Sequence, residues 1–137
     1  MIGNSVLKMK RMSAAKETDN KIRWDAEVEG TAFELYIPKW RVPSPPPSQI
    51  WVLISPKRCE TDDLPNLSES DVQTDLNLQA EPIVATVIRY SEHTETVRYR
   101  PVGYQAQWEI GEPYIPFALI PDQAHRLRVI VLWGDVR

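Results

Sequence analysis

Hydrophobic and polar residues alternate along much of this chain. Residues 21–28 show the pattern most cleanly, since the even-numbered positions are apolar and the odd-numbered positions are charged. Successive side chains of a β-strand point to opposite faces, so this stretch predicts a strand with one solvated face. Further alternating or β-rich stretches predict strands at residues 5–12, 32–37, 83–90, 94–100 and 105–110.

Two apolar runs are continuous rather than alternating. Residues 50–54 read Ile-Trp-Val-Leu-Ile, and residues 126–133 end in Val-Ile-Val-Leu-Trp. The run at 50–54 is typical of a strand that is covered on both faces, and the run at 126–133 predicts the last strand of the fold. Twelve prolines against five glycines argue against long helices, because proline disrupts a helix interior.

A ten-residue pattern occurs twice, at residues 34–43 and 112–121. Both copies read Glu-x-Tyr-Ile-Pro, then three variable residues, a branched aliphatic residue and a second Pro. The copies are 78 residues apart. Similar spacings relate Ile22 to Val97, Arg11 to Arg89 and Ile50 to Leu127, at 75, 78 and 77 residues. Spacings this uniform indicate an internal duplication.

The repeat predicts an all-β fold. Two four-stranded units cannot each bury an apolar face alone, so we expect them to pair about a pseudo-twofold axis. The product is one antiparallel β-barrel or sandwich of about eight strands within a single domain, residues 1–137. We place repeat unit one at about 5–55, an acidic linker at about 56–82 and repeat unit two at about 83–133.

The net charge of −3 hides a segregation of charge along the chain. Residues 1–58 hold ten Lys or Arg and six Asp or Glu, residues 59–82 hold no basic and seven acidic residues, and residues 83–137 hold six of each. An overall basic footprint for nucleic acid is therefore absent, although a local one in the first half remains open.

Cysteine content and hydropathy bear on the location of the protein. The single cysteine, Cys59, excludes an internal disulfide framework and fits a reducing compartment. The first residues lack the apolar core of a signal peptide, and no run approaches the ~18 apolar residues of a membrane span. We expect a cytoplasmic protein with no membrane partner.

Catalytic and metal-binding patterns are weak. The two histidines, His93 and His125, and Cys59 show no ligand spacing, so no metal or cofactor is expected. Glu34 and Glu112 occupy equivalent places in the repeat and could form an acid/base pair across a twofold barrel. An enzyme with such carboxylate chemistry is one alternative; structural hydrogen bonds for both glutamates are the simpler interpretation.

Arginines cluster in the second repeat unit. Pairing of strands 83–90 and 94–100 is expected to put Arg89, Arg98 and Arg100 on one face. A basic face with nearby aromatic residues could hold single-stranded nucleic acid. We favour instead ion pairs between these arginines and neighbouring acids, because the chain is acidic overall. The opposite face is expected to carry Val84, Ile88, Val97 and Tyr99. The residues that the nucleic-acid alternative would use are Arg23, Arg98, Arg100, Trp40 and Tyr99.

The two copies of the repeat differ most at their centres. Lys39-Trp40-Arg41 in the first copy stands where the second has Phe117-Ala118-Leu119. An aromatic residue between two cations suits an anionic or flat ligand, whereas an apolar surface turn suits a protein interface. The candidate ligand-binding residues are Arg23, Lys39, Trp40, Arg41, Arg98 and Arg100, and the candidate interface residues are Phe117 and Leu119.

These features together predict a non-enzymatic binding or assembly module that forms a homo-oligomer or binds another protein. Single-stranded nucleic acid is an alternative partner that the charge balance does not favour. Neither prediction identifies a biological process.

Overall fold

A computed structural model describes residues 20–44, 46–56, 80–120 and 123–134, and the backbone alone of residues 5–11. Most of the predicted acidic linker, including Cys59, lies outside these ranges. The last proline of the second repeat copy, Pro121, lies outside them as well.

The described residues form eight strands that pair antiparallel throughout. Their spatial order is β3-β2-β1-β4-β8-β5-β6-β7. The prediction of an all-β, antiparallel and barrel-like fold is thus confirmed. The strands are β1 (Ser5–Arg11), β2 (Lys21–Val28), β3 (Thr31–Pro38), β4 (Gln49–Pro56), β5 (Ile83–Glu92), β6 (Thr96–Pro101), β7 (Tyr114–Pro116) and β8 (Arg126–Trp133).

One predicted strand does not form. Residues 105–110 contain a 3-10 turn at Gln105–Gln107 followed by irregular backbone. Pro101 and Pro113 flank this segment, and proline has no N–H to donate to a ladder.

Strands β2 and β3 are joined by a tight turn at Glu29 and Gly30, whose positive φ angles of 49° and 83° suit a hairpin connection.

The core lies inside the curled sheet. In β2 the buried residues are Ile22 and Trp24, as the alternation predicted, and in β3 they alternate with exposed Glu34. The indole of Trp24 meets that of Trp133 edge to face, with 5.9 Å between ring centroids. Fully buried aromatic residues of this size contribute a large share of core stability.

Strands β4 and β8 pair at the centre of the sheet order. Nearly every residue of both strands is buried, as the continuous apolar run at 50–54 predicted for β4. Their inward residues join the main core. A second apolar cluster on alternate positions contains Trp51, Leu53, Ile130 and Leu132.

The faces of β5 differ from the prediction. Val84 is 44% exposed, whereas Val87 is buried in the core. The ladder pairs Ile88 with Arg100 and Arg89 with Tyr99, and a bulge separates Arg89 from Ser91. Paired residues share a face, so Arg89 lies with Tyr99 rather than with Arg98 and Arg100. The predicted three-arginine face therefore contains two of its members.

The two outermost strands of the sheet order, β3 and β7, contact each other. The backbone N–H of Gly111 donates to the carbonyl oxygen of Tyr36, with 2.8 Å between nitrogen and oxygen. We call the contact between β3 and residues 104–114 the seam. The seam brings the two halves of the chain together.

Candidate functional site

An ion pair between Arg41 and Glu109 joins the two sides of the seam close to the Gly111 hydrogen bond. The guanidinium of Arg41 donates to Glu109 Oε2 at 2.5 Å, 68 residues away along the chain. Its Nη2 also donates to the carbonyl oxygens of Pro82, at 2.9 Å, and Glu81, at 3.2 Å. Arg41 was a predicted ligand-binding residue, but these bonds occupy its guanidinium in a contact that joins three segments.

The turn before Arg41 places two other predicted residues at the surface. Pro38 ends β3, and residues Lys39–Arg41 form a 3-10 turn closed by the Val42 N–H and the Lys39 carbonyl. The Lys39 N–H donates to the carbonyl oxygen of Asn20 at 2.8 Å, which ties the turn to the start of β2. Trp40 lies at the tip of this turn and is 63% exposed.

Trp40 and Trp108 line a cleft of about 380 Å³ at the seam. Lys21 and Lys39 line it too. Indole N–H of Trp108 donates to the carbonyl oxygen of Gly103 at 3.1 Å, which fixes the ring within its irregular segment. Tryptophans from both halves of the chain and two lysines from the first half therefore line one space.

A second cleft of about 390 Å³ continues from the first. The two share Asn20, Lys21 and Gly111, so they form one surface depression, called the seam groove below. Tyr36 and Tyr114, the tyrosines of the two repeat copies, line the second cleft.

Glu112 also lines the second cleft, and two arginines bind it. Arg98 Nη2 donates to its Oε1 and Arg100 Nε to its Oε2, each at 2.5 Å. Desolvation raises the pKa of Glu112, but the hydrogen bonds and charges of the two arginines outweigh it, so the pKa is lowered overall. Glu112 is thus a carboxylate at neutral pH, and the trio carries a net positive charge.

The same arginines contact aromatic rings. The guanidinium carbon of Arg100 lies 3.9 Å from the Tyr90 ring centroid, and that of Arg98 lies 4.8 Å from it. Arg98 is also 5.8 Å from the centroid of Tyr114, which links this cluster to the second cleft. Cation–π contacts of this kind hold arginine side chains in place at a surface.

Arg23 lies in a different setting from Arg98. Its Nε is 2.7 Å from Asp25 Oδ1 and its Nη1 is 3.3 Å from Glu34 Oε2. A hydrogen bond with Tyr36 and the two acids raise its pKa above the ordinary arginine value, against a smaller effect of desolvation. The Arg23–Asp25 pair is one that the acidic composition led us to favour.

Two predicted side chains are buried. Tyr99 is 0% exposed, and its hydroxyl donates to the carbonyl oxygen of Ala124 at 2.5 Å, so its ring is not available for stacking on a ligand. Desolvation raises the pKa of this hydroxyl. Leu119 is 8% exposed and belongs to the core, which leaves Phe117, at 42%, as the exposed member of the predicted interface pair.

Catalytic groupings find little support in this geometry. Glu34 and Glu112 are each bound to arginine. The pKa of Glu112 is lowered, which is the opposite of what a general acid needs. The described residues contain no group of three or more potential metal ligands. The rings of His93 and Tyr114 contact each other in a tilted arrangement, with 5.3 Å between their centroids.

Several groove residues were not singled out from the sequence. Trp108 lies in a stretch that was interpreted as a strand, so its exposure could not be anticipated. Tyr36 and Tyr114 were recognised only as parts of the repeat, although their position between buried neighbours in a strand already implies an outward side chain. Lys21 was read as one charge on a solvated face.

No protein-family model, curated protein or solved structure matches this chain. No helix in the described ranges is long and apolar enough to cross a membrane.

Proposed function

We propose that this protein is a non-enzymatic binding module and that the seam groove is its ligand site. The observation that carries the proposal is the first cleft, where Trp40 and Trp108 lie around one space with Lys21 and Lys39. These residues come from opposite halves of the sequence. A mostly apolar cleft with a few charged groups is the usual form of a small-ligand site.

The lining residues define the chemistry of the ligand. Indole rings offer flat apolar faces that stack on planar groups. Ammonium groups of lysine attract anions as compact point charges. A ligand that combines a planar ring with a negative charge satisfies both kinds of residue, and nucleotides are a common class of biological compounds with this combination.

We also propose that the barrel arose by internal duplication, with a pseudo-twofold relation between β1–β4 and β5–β8. Support comes from the ladder registers: Ile22 pairs with Ile37, and Val97 pairs with Ile115. The offsets, 75 and 78 residues, are those between the sequence repeats. Offsets of 75–78 likewise relate the pairs Arg11–Trp24 and Met9–Ile50 to Arg89–Tyr99 and Val87–Leu127.

Hydrogen bonds repeat in the same way. The Trp24 indole donates to the Pro47 carbonyl at 3.3 Å, and the Tyr99 hydroxyl donates to the Ala124 carbonyl. Both donors are buried aromatic residues, and both acceptors precede a central strand. The 3-10 turns Lys39–Arg41 and Phe117–Leu119 follow prolines with nearly identical backbone angles, φ −59° and −58°.

The duplication helps to explain where the site lies. At the position of Trp40 the second copy has Ala118, and at the position of Lys39 it has Phe117. The tight Glu29–Gly30 turn is replaced in the second half by the longer connection that carries Trp108. The first cleft thus uses the parts in which the two copies differ, whereas the second is lined by the tyrosine that both copies share.

Substitution of Trp40 tests the proposed site. We expect Trp40→Ala to weaken binding of adenosine monophosphate, measured by isothermal titration calorimetry, about 5- to 100-fold, because stacking on one aromatic ring contributes ~1–3 kcal/mol. Tyr104→Ala is the matched control, since Tyr104 is 80% exposed and lines neither cleft. The proposal fails if the wild-type protein shows no heat of binding, or if both variants bind equally.

We also propose that the exposed turn Phe117–Leu119 binds a second copy of this chain. Phe117 presents an apolar ring at the surface directly after β7. If this ring is part of a homo-oligomer interface, multi-angle light scattering gives a multiple of the 15.8 kDa chain mass, and Phe117→Ser shifts it toward the monomer. A strict monomer at high protein concentration contradicts the idea.

A reducing compartment such as the cytoplasm is the location we propose, because Cys59 has no second cysteine to pair with.

A further inference from the structure

We infer that the seam groove binds single-stranded nucleic acid along both of its clefts. The inference rests on the proposed binding function and adds the class of ligand and its path. Bases stack on Trp40 and Trp108 in the first cleft and on Tyr36 and Tyr114 in the second. Lys21, Lys39 and Arg98 lie beside these rings and contact the phosphates.

Continuity of the groove is the first argument. The first and second clefts, about 380 and 390 Å³, share Lys21 and Gly111. Each volume lies near the lower end of the range for a site that encloses one small ligand, roughly 300–1,000 Å³. Two such spaces in direct continuity fit a ligand with two or more similar units better than they fit one small molecule.

Alternation of rings and cations is the second argument. The first cleft is lined by Trp40, Trp108 and Lys39. Lys21 lines both clefts, and the second cleft is lined by Tyr36 and Tyr114. Arg98 lies beyond them, within 5.8 Å of the Tyr114 ring. A polynucleotide repeats a planar base and a phosphate, and aromatic platforms in a positively charged groove are how proteins hold single strands.

Local charge agrees with this ligand although the whole chain is acidic. Glu112 is the carboxylate of the second cleft, and Arg98 and Arg100 bind both of its oxygens. That trio leaves one positive charge in excess, and Lys21 and Lys39 line the first cleft. Phosphates therefore meet a surface that is locally richer in basic groups than the protein as a whole.

An unpaired strand is required because stacking needs exposed base faces. In a duplex the faces of the bases are covered by their neighbours, and proteins reach the edges instead. An acidic peptide rich in aromatic residues offers similar groups without a regular repeat. We therefore treat such a peptide as the competing ligand in the experiment.

The test compares ligands of increasing length on the full chain. Unlabelled oligothymidylates of two, four and eight nucleotides compete with a fluorescein-labelled octamer in an anisotropy assay. We expect the octamer to bind at least about tenfold more tightly than the dinucleotide, with a duplex of equal length at least about tenfold weaker than the octamer. Three phosphate contacts predict a slope of about −2 for log affinity against log salt.

Variants separate the two clefts. Tyr114→Ala is expected to weaken the octamer ~5- to 100-fold, because the octamer occupies the second cleft as well as the first. Tyr36→Ala should behave alike, and a far-ultraviolet circular dichroism spectrum like that of the wild type shows that either variant is folded. The control, Tyr104→Ala, should leave the affinities for the octamer and adenosine monophosphate unchanged, and Lys21→Ala should reduce the salt slope by about 0.7.

The outcomes distinguish the two proposals. If adenosine monophosphate binds in a Trp40-dependent manner but affinity does not rise with length, the nucleic-acid inference is wrong and the proposed function stands. If neither mononucleotide nor oligonucleotide binds, both are wrong. Displacement of the octamer by a glutamate- and tyrosine-rich peptide at equal concentration also overturns the inference, as does equal affinity for duplex and single strand.

Discussion

Replacing Trp24 with alanine is expected to lower the free energy of unfolding by about 3–5 kcal/mol. The side chain is fully buried, its ring contacts Trp133 edge to face, and its indole N–H donates to the Pro47 carbonyl. The substitution removes these contacts and leaves a cavity beside β3 and β8. Urea denaturation monitored by far-ultraviolet circular dichroism measures the change.

An exposed tryptophan supplies the control for this experiment. Trp40→Ala removes the same side chain from a surface turn, so its effect on unfolding should stay within about 0.5 kcal/mol. Comparable losses for Trp24→Ala and Trp40→Ala would contradict the core position of Trp24. Trp24→Phe, which keeps most of the volume but lacks the indole N–H, should fall between alanine and wild type.

The Arg41–Glu109 pair is expected to be the strongest polar contribution to the seam. Arg41→Ala should destabilise the fold by about 1–3 kcal/mol, because it removes a charged hydrogen bond and leaves two carbonyl acceptors, those of Glu81 and Pro82, without this donor. Both side chains are partly shielded from water, at 15% and 36% exposure. Screening by solvent is therefore weaker than for a fully exposed pair.

A double-mutant cycle isolates this interaction. Arg41→Ala, Glu109→Ala and the double variant should show a coupling energy of about 1 kcal/mol in urea unfolding. Arg126→Ala, an exposed arginine at the start of β8, is the control and should change stability by less than about 0.5 kcal/mol. Strict additivity of the two single effects would show that the seam does not depend on the pair.

The strands were largely predictable because their signal is local. Alternation at residues 21–28 fixes which side chains of β2 share a face, and Ile22 and Trp24 are indeed buried. The continuous run at 50–54 likewise predicted a strand covered on both faces. The exception, residues 105–110, alternates without a partner strand, because the prolines on either side interrupt a ladder.

The candidate site was predictable only in part. The difference between Lys39-Trp40-Arg41 and its counterpart pointed to the turn where Trp40 is exposed. It did not indicate that Arg41 is occupied by Glu109, a residue 68 positions away. A bulge in β5, which local pattern does not reveal, moved Arg89 away from Arg98 and Arg100.

By itself, the sequence determined the all-β class, the position of most strands and the apolar side of β2, because these depend on neighbours a few residues apart. The tertiary structure decided which side chains meet across the seam. Trp40 and Trp108 line one cleft only because β3 and β7 approach each other at the ends of the sheet order. That approach depends on register, twist and a long-range ion pair, whose energies arise only when distant segments are already paired.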